Sequence, residues 1–391
     1  MRSVVLLLGL LPTAVGTALA EPTLKPVVDL RIRYEHVDDA RFAHDAQALT
    51  VRARAGLQWA ISPTWTALVE AEATQAVGAD HFNSTDNRRT NYPTVVDPDN
   101  VELNQAWVAW APRDTFRAVG GRQRLIYENQ RFIGNVGWRQ NEQTFDAIDL
   151  SWRPEAKTTL RYSYLDRVQR VFGNDHSNAS LARWDLDGHL VSAARSIGPG
   201  TLTVYGHWIE NRTLVANSQR NAGIRYVAKG GRADGPGWHG TAEVTRQSAY
   251  GGSHFSAQTY VLAEGGVTWP SNKITVGYER LGGDGRYGFS TPLATLHAFN
   301  GWADLFLTTP PSGLQDRYAG WRYAKGPWEF QLWRHRYSAD AGSRDYGREW
   351  NALASRRLSP RWSSQVKFAR YASDGFGADV SKLWISAEYK Y

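Results

Sequence analysis

The chain has 391 residues, 45 Lys and Arg against 38 Asp and Glu for a formal charge of +7, and no cysteine. The absence of cysteine rules out a disulfide framework and thiol chemistry. The modest basic excess, with no basic run or nucleic-acid motif, gives no reason to expect a nucleic-acid partner. Seventeen Trp and eighteen Tyr stand against a single Met, a bias suited to membrane interfaces, where an apolar ring ends in a polar tip.

The first residues predict an export signal over 1–20. Arg2 is followed by an apolar run, 4–11, too short to cross a bilayer, and Ala18-Leu19-Ala20 presents small residues before Glu21. The remaining 21–391 read as one domain. They contain no run of eighteen apolar residues, so no transmembrane helix is expected. A mean hydropathy of −0.48 does not exclude a membrane barrel, because a barrel strand shows lipid only every second residue.

Alternation begins at once. Val28, Leu30, Ile32 and Tyr34 interleave with Asp29, Arg31, Arg33 and Glu35. Leu49 to Trp59 alternate with Thr50, Arg52, Arg54 and Gln58. Trp65, Val69, Ala71 and Ala73 oppose Thr66, Glu70, Glu72 and Thr74, with Leu68 off pattern. Each segment spans about ten residues, the length of a tilted membrane strand. The same period recurs around Tyr162, Ile224, Val244, Val276, Phe330 and Val366, and less cleanly over 101–111, 116–125 and 255–269. About eighteen such segments are present, and an even number suits a bacterial barrel. The connections alternate too. Short turns such as Ser62-Pro63-Thr64, Pro112-Arg113-Asp114, Gly198-Pro199-Gly200 and Ser359-Pro360-Arg361 separate longer polar stretches at 38–47, 77–100, 127–144, 167–183, 282–314 and 338–346. The expected fold is all-β: a transmembrane antiparallel β-barrel with short periplasmic turns and long extracellular loops, in the outer membrane of a Gram-negative bacterium. The last segment alternates to a terminal Tyr391 and must pair with the first, since an open edge is not tolerated in lipid. An aromatic terminus of this kind resembles the segment read by the barrel assembly machinery.

Inward residues set selectivity in a barrel. Where the chain closes on itself, Arg31, Arg33, Arg52, Arg54, Lys367, Lys382 and Lys390 are expected to face a lumen whose next wall carries Glu70, Glu72 and Glu102. A basic wall beside an acidic one would set up a transverse field. Cross-strand pairing of Arg52 or Arg54 with Glu70 or Glu72 is the structural alternative, but Arg31 and Arg33 have few partners by strand phase. The stretch 288–316 is too apolar and aromatic for a loop in water, so it should fold into the lumen or cap it. The histidines are scattered, with no serine motif around them, and no catalytic residue is nominated. Asp97 and Asp99 make at most a weak calcium pair. No metal site, phosphate loop or other cofactor is expected.

Two stretches carry a family resemblance. Gly121-Arg122-Gln123, Arg131-Phe132-Ile133-Gly134, Gly137-Trp138-Arg139-Gln140 and Phe145-Asp146 form the first. Thr291-Pro292-Leu293-Ala294-Thr295-Leu296-His297, Phe299-Asn300-Gly301-Trp302-Ala303-Asp304 and Gly313-Leu314-Gln315-Asp316 form the second. They resemble the alginate-export family of outer-membrane barrels, and Glu243-Val244-Thr245-Arg246-Gln247 is similar to a third family segment. The resemblance implies an eighteen-stranded monomer surrounded by outer-membrane lipid, with an arginine-rich lumen passing an anionic saccharide. By that reading Arg122, Arg131, Arg139, Arg161 and Arg225 join the substrate path, Asp146 and Glu243 join the acidic lumen, and His297, Asn300, Trp302 and Asp304 belong to a lumen loop. The chain shows no long turn able to gate the pore from the periplasm. Direction of transport, the solute, and a general porin or a loop-plugged binding protein stay open.

Overall fold

The computed structural model describes residues 22–232 and 235–391; the expected export signal, 1–20, lies outside them. Eighteen antiparallel strands follow in chain order: β1 (Thr23–Asp39), β2 (Ala46–Ala60), β3 (Trp65–His81), β4 (Asn100–Arg113), β5 (Phe116–Gln123), β6 (Thr144–Glu155), β7 (Thr158–Gln169), β8 (Arg183–Ile197), β9 (Gly200–Asn211), β10 (Gln219–Gly231), β11 (Gly237–Ala249), β12 (Gln258–Trp269), β13 (Asn272–Leu281), β14 (Leu314–Lys325), β15 (Trp328–Ser338), β16 (Asp345–Arg357), β17 (Trp362–Ser373) and β18 (Val380–Lys390). Each pairs with its neighbours in sequence, and β18 pairs with β1 from Asp29–Lys390 to Asp39–Val380. The ring is closed, so over Asp29–Asp39 β1 has a strand partner on both sides, as an edge in lipid requires.

The connections sort by length. Five short turns, at 114–115, 156–157, 198–199, 270–271 and 326–327, have two residues each. The opposite end carries the long loops, the largest being 82–99, 124–143 and 282–313. The expected long stretches all fall on this end, joined by shorter loops at 212–218, 250–257 and 374–379.

Alternation fixes the two faces. Ile32, Val69, Val276 and Val366 are exposed on the outside, while Arg33, Arg52, Glu70 and Thr245 are buried inside. Trp59, Trp65, Trp110, Trp152, Trp238, Trp328 and Trp362 are exposed on the outside near the short turns, where an indole can bury its rings in lipid and keep its N–H wet. The weak phasing of 101–111 has a local cause. A register shift between β3 and β4 at Glu70–Ala71 leaves both Asn104 and Gln105 pointing inward. Their side-chain amides both donate to Glu70 Oε1, at 2.7 and 2.9 Å. Outward positions are therefore Val101 and Leu103 below the slip, and Val108 and Trp110 beyond it, as a bulge requires.

Candidate functional site: the loop-filled lumen

The lumen is occupied by two loops, β5–β6 (124–143) and β13–β14 (282–313), which bind one another. Gly134 N–H donates to Leu293 O (2.9 Å), Thr295 N–H to Gln130 O (3.1 Å), and Val136 N–H to Thr295 Oγ1 (3.0 Å). Both loops carry non-glycine residues in the left-handed region: Glu128, Gln130 and Val136 in one, Asn300 and Asp304 in the other. For the β-branched Val136 that geometry is costly and is held by the contact to Thr295. Gly301, at φ +84, is required: a Cβ there would overlap Tyr337 Oη and the Glu349 carboxylate. That carboxylate accepts from the backbone N–H groups of Trp302 (2.5 Å) and Ala303 (2.9 Å), tying the loop to β16.

The wall where the chain closes is basic, and the β5–β6 loop leans on it. Arg31 donates through Nε to Gln140 Oε1 (2.8 Å), through Nη1 to Gly137 O (3.2 Å), and to Arg139 O. Arg33 donates to Trp138 O (2.6 Å) and pairs with Asp97. Arg52 pairs with Asp29 and with Glu388 (3.0 Å). Arg54 pairs with Glu72 and lies 3.7 Å from Glu142. Sequence phase could not supply the partners of Arg31 and Arg33, because they come from Asp97 and from 137–140, far along the chain. Asp97, weighed as a calcium ligand, is buried against Arg33 and accepts from Gln140 N–H (2.8 Å), while Asp99 accepts from Ala76 N–H (2.6 Å). No cluster of three metal-ligating side chains occurs among the described residues.

A second knot sits at the loop tips. His297 stacks on Trp138 with ring centroids 4.3 Å apart. Lys367 Nζ lies 2.7 Å from His297 Nε2, and His297 Nδ1 lies 2.7 Å from Asp304 Oδ1. An ammonium can only donate, so Nε2 accepts and Nδ1–H donates to Asp304. The ring is thus neutral, and burial pushes it down to about 3, with Lys367 and Arg139 acting the same way against Asp304. Asp304 also binds Lys382 (2.9 Å) and Arg139 (3.3 Å), and Arg139 reaches Glu35 (3.4 Å). Lys367 sits over the Trp138 and Trp302 rings at 4.1 and 3.9 Å. Across the lumen, Arg131 binds Glu279 (2.9 Å) and Asn300 Oδ1 (2.9 Å), and Asn300 donates to Glu279 (2.6 Å) and Asp316 (3.2 Å). Arg225 pairs with Glu243, which accepts from Tyr205 Oη (2.6 Å). Arg161 pairs with Asp149 (2.8 Å) and covers the Tyr127 ring.

Most nominated residues therefore face the lumen: Arg31, Arg33, Arg52, Arg54, Arg131, Arg139, Arg161, Arg225, Lys367, Glu70, Glu72, Glu102, Glu243, His297, Asn300, Trp302 and Asp304. Two do not. Val119 and Gln123 of β5 and Phe145 and Ala147 of β6 point inward, so alternation turns Arg122 and Asp146, which are paired in register, to the outer face. They bind each other at 2.7 Å there, and Arg167 and Asp185 continue the row. Sequence reading missed Arg124 and Glu142, loop residues that interlock (2.6 Å) and bind Glu70 and Asn104. It also left out Glu279 and Glu349, which anchor the other loop.

The lumenal cations Arg31, Lys367 and Arg170 have no carboxylate within 4 Å among the described residues; Arg170 donates instead to Gln143 Oε1 and Pro292 O, both at 2.8 Å. Arg31 and Arg33 line a cavity of about 180 Å³ with Trp138, Ser363, Gln365, Ser386 and Glu388. A neighbouring cavity of about 430 Å³, bordered by Arg52, Arg54, Arg124 and Lys390, opens beside it. On the long-loop side, Arg41, Arg139, Lys382 and Asp304 border a third of about 340 Å³. Cations thus stand on both sides of the loop layer.

Comparison with known proteins places this arrangement. The sequence matches the family described as alginate export over residues 24–288. No curated protein matches it. In fold it is similar to Pseudomonas aeruginosa OccK9 (OpdG), with TM-score 0.73, 13% identity, and 94% of this chain and 98% of that one covered. It is similar to Pseudomonas aeruginosa OccK3 (OpdO), with TM-score 0.70, 14% identity, and 94% and 95% covered. Pseudomonas aeruginosa OpdK with vanillate gives TM-score 0.70, 12% identity, and 94% and 98% covered. The protein is an outer-membrane β-barrel channel, and it belongs to the alginate export family.

Proposed function

We propose that this channel passes acidic saccharides, uronate oligomers of the alginate kind, by passive diffusion, in the direction that the solute gradient and the rest of the pathway set. The carrying observation is the cavity beneath the loop layer. It combines the guanidinium groups of Arg31 and Arg33, the hydroxyls of Ser363 and Ser386, the Gln365 amide and the Trp138 indole. A uronate needs a planar cation for its carboxylate, hydroxyl and amide partners for its ring oxygens, and an apolar face to lie against. Arg31 suits the first role because its fork is held by loop carbonyls rather than by an acid. Lys367, Lys382 and Arg139 extend the positive path toward the long loops, and the acidic wall opposite orients a passing anion. We further read the barrel as a monomer in lipid and the terminal strand β18, with Tyr391 following it, as the segment engaged by the assembly machinery. The register that closes the ring on β1 supports that reading.

A second reading is a pore for small anions. Cavities beside the loops have volumes of about 180 and 430 Å³, a size suited to small solutes, and the fold neighbour OpdK has been crystallised with vanillate. Single-channel current in a planar bilayer separates the two. The uronate reading expects anion-selective reversal potentials and block by oligouronates. In Arg31→Gln and Lys367→Gln, block should weaken about tenfold or more, the loss of one charge-assisted hydrogen bond. Anion selectivity without oligouronate block would favour the small-anion pore. A cation-preferring current blind to uronates would end both readings.

A further inference from the structure

The outer face near the long-loop end holds a cluster the channel does not use. Arg317 of β14, Arg336 of β15 and Arg348 of β16 are direct cross-strand partners. Two residues toward the short turns, Arg334 of β15 and Arg370 of β17 flank Trp350 of β16 in a second row. Like charges placed directly opposite on adjacent strands repel, so five arginines here need a reason. Two find carboxylates: Arg336 with Asp345 (3.3 Å) and Arg348 with Asp374 (3.6 Å). Among the described residues Arg317 meets no carboxylate, only Gln315 Oε1 (3.0 Å), Ser338 Oγ (3.5 Å) and the Tyr278 ring (5.7 Å), and Arg334 lies over the Trp350 ring at 5.0 Å. Arg334 Nη1 has no hydrogen-bond partner, and Arg370 has no ion pair among the described residues. On the opposite side of the barrel three outer-face arginines do find carboxylates. At the same end, Arg122, Arg167 and Arg212 are each matched by an aspartate, at 2.7 to 2.9 Å.

The cluster lies at a defined depth. Six to eight residues separate Trp328 from Arg334 and Arg336, and eight separate Trp362 from Arg370. That is roughly 20–27 Å along the strand, or about 15–20 Å of height at a tilt near 40°, toward the far edge of an apolar band about 25 Å tall. Directly below the arginines the surface forms a furrow. Ala352 is paired on either side with Leu332 and Phe368, and Ala354 with Phe330 and Val366. The four large side chains are exposed and the two alanines less so.

We propose that the outer face of β14–β17 binds a phosphorylated glycolipid of the outer leaflet, its phosphates on the arginine cluster and one acyl chain in the alanine-floored furrow. Guanidinium groups match phosphate oxygens bidentately. The phosphate dianions relieve the repulsion between the paired strands, and Trp350 sits where sugar gives way to hydrocarbon. This site is independent of what passes through the lumen.

Native mass spectrometry of the detergent-solubilised protein tests it, with bisphosphoryl lipid A and its dephosphorylated counterpart as probes. The expected result is one bisphosphoryl lipid retained at least about tenfold more tightly than the dephosphorylated lipid, with inorganic pyrophosphate a poor competitor. Arg334→Gln combined with Arg370→Gln should weaken retention about tenfold, and Ala352→Phe should weaken it with no change in charge. Equal retention of the two lipids by the unaltered protein would overturn the proposal, even if the variants fail to insert. So would unchanged retention in the folded variants. Displacement by pyrophosphate at equal concentration would mean a free-phosphate site instead.

Discussion

Among single residues, Arg54 bears the most. It binds Glu72, stands 3.7 Å from Glu142 and 3.8 Å from Asp29, and donates to Gln140 O (3.3 Å), all with little access to solvent. Removing one partner of a buried ionic group leaves the others charged and uncompensated, which costs about 3–5 kcal/mol. Arg54→Ala should therefore lower the denaturant midpoint of the detergent-refolded barrel clearly. Arg54→Ala combined with Glu72→Ala should recover part of the loss. An Arg54→Ala midpoint matching the parent's would mean the group is solvated and its ion pairs are incidental. Arg122 makes the opposite point. Its type and motif suggested a lumenal role, but the inward placement of Val119 and Gln123 sends it to the outer surface. A residue's chemistry was readable from the sequence here, and its direction depended on a phase known only once the β3–β4 slip at Asn104 and Gln105 is seen.

At the level of elements, the β13–β14 loop is the part the barrel wall holds inside the lumen. Its apolar composition announced that it would leave water, and it does. What could not be read was its grip: Glu349 under Trp302 and Ala303, and Asp304 between Lys382 and Arg139, contacts made by two strands and a loop distant in sequence. The grip depends on pH through His297. Its ordinary value of 6.5 is pushed down to about 3 in the docked loop, chiefly by burial. A detached loop would take up a proton below about 6.5, whereas the docked loop refuses it until about pH 3. Docking is thus strongest above pH 6.5 and weakens steadily as pH falls through that window. Burial opposes ionisation of Asp304, but its contacts with His297, Lys382 and Arg139 prevail and hold its carboxyl well below the usual range, so it strengthens no competing trend inside the window. Protease cleavage within 282–313 should be slow at pH 7 and faster near pH 4.5, with conductance rising in step. His297→Gln keeps a donor for Asp304 and an acceptor for Lys367 without a titrating proton, and should flatten both profiles. If the parent protein is cut equally at the two pH values, His297 does not govern docking.

The whole molecule is an inside-out arrangement, with charge packed within and hydrocarbon without, and period-two alternation made that legible from the first strand. The strand count, the closure of the last strand on the first and the sorting of short from long connections follow from the same signal, since a closed ring in lipid allows few other solutions. The alternation also predicts that one substitution should have unequal consequences on the two faces. Ile32 is exposed to lipid on β1, four residues along the strand from Val28, whose backbone pairs with the chain end at Tyr391. Ile32→Arg places a guanidinium inside the apolar band and should cost about 2–4 kcal/mol if it sits near the midplane. Gln331 of β15 borders a cavity of about 220 Å³ that also contains Glu264, Glu279 and Asp316. Gln331→Arg adds the same group where water and carboxylates await it, and folding into lipid vesicles should be nearly unaffected. The lumenal variant should instead reveal itself in the current, as a shift of reversal potential toward anions. Comparable destabilisation by both substitutions would show that stability here is limited by tight packing on either side of the wall rather than by the exchange of lipid for lumen.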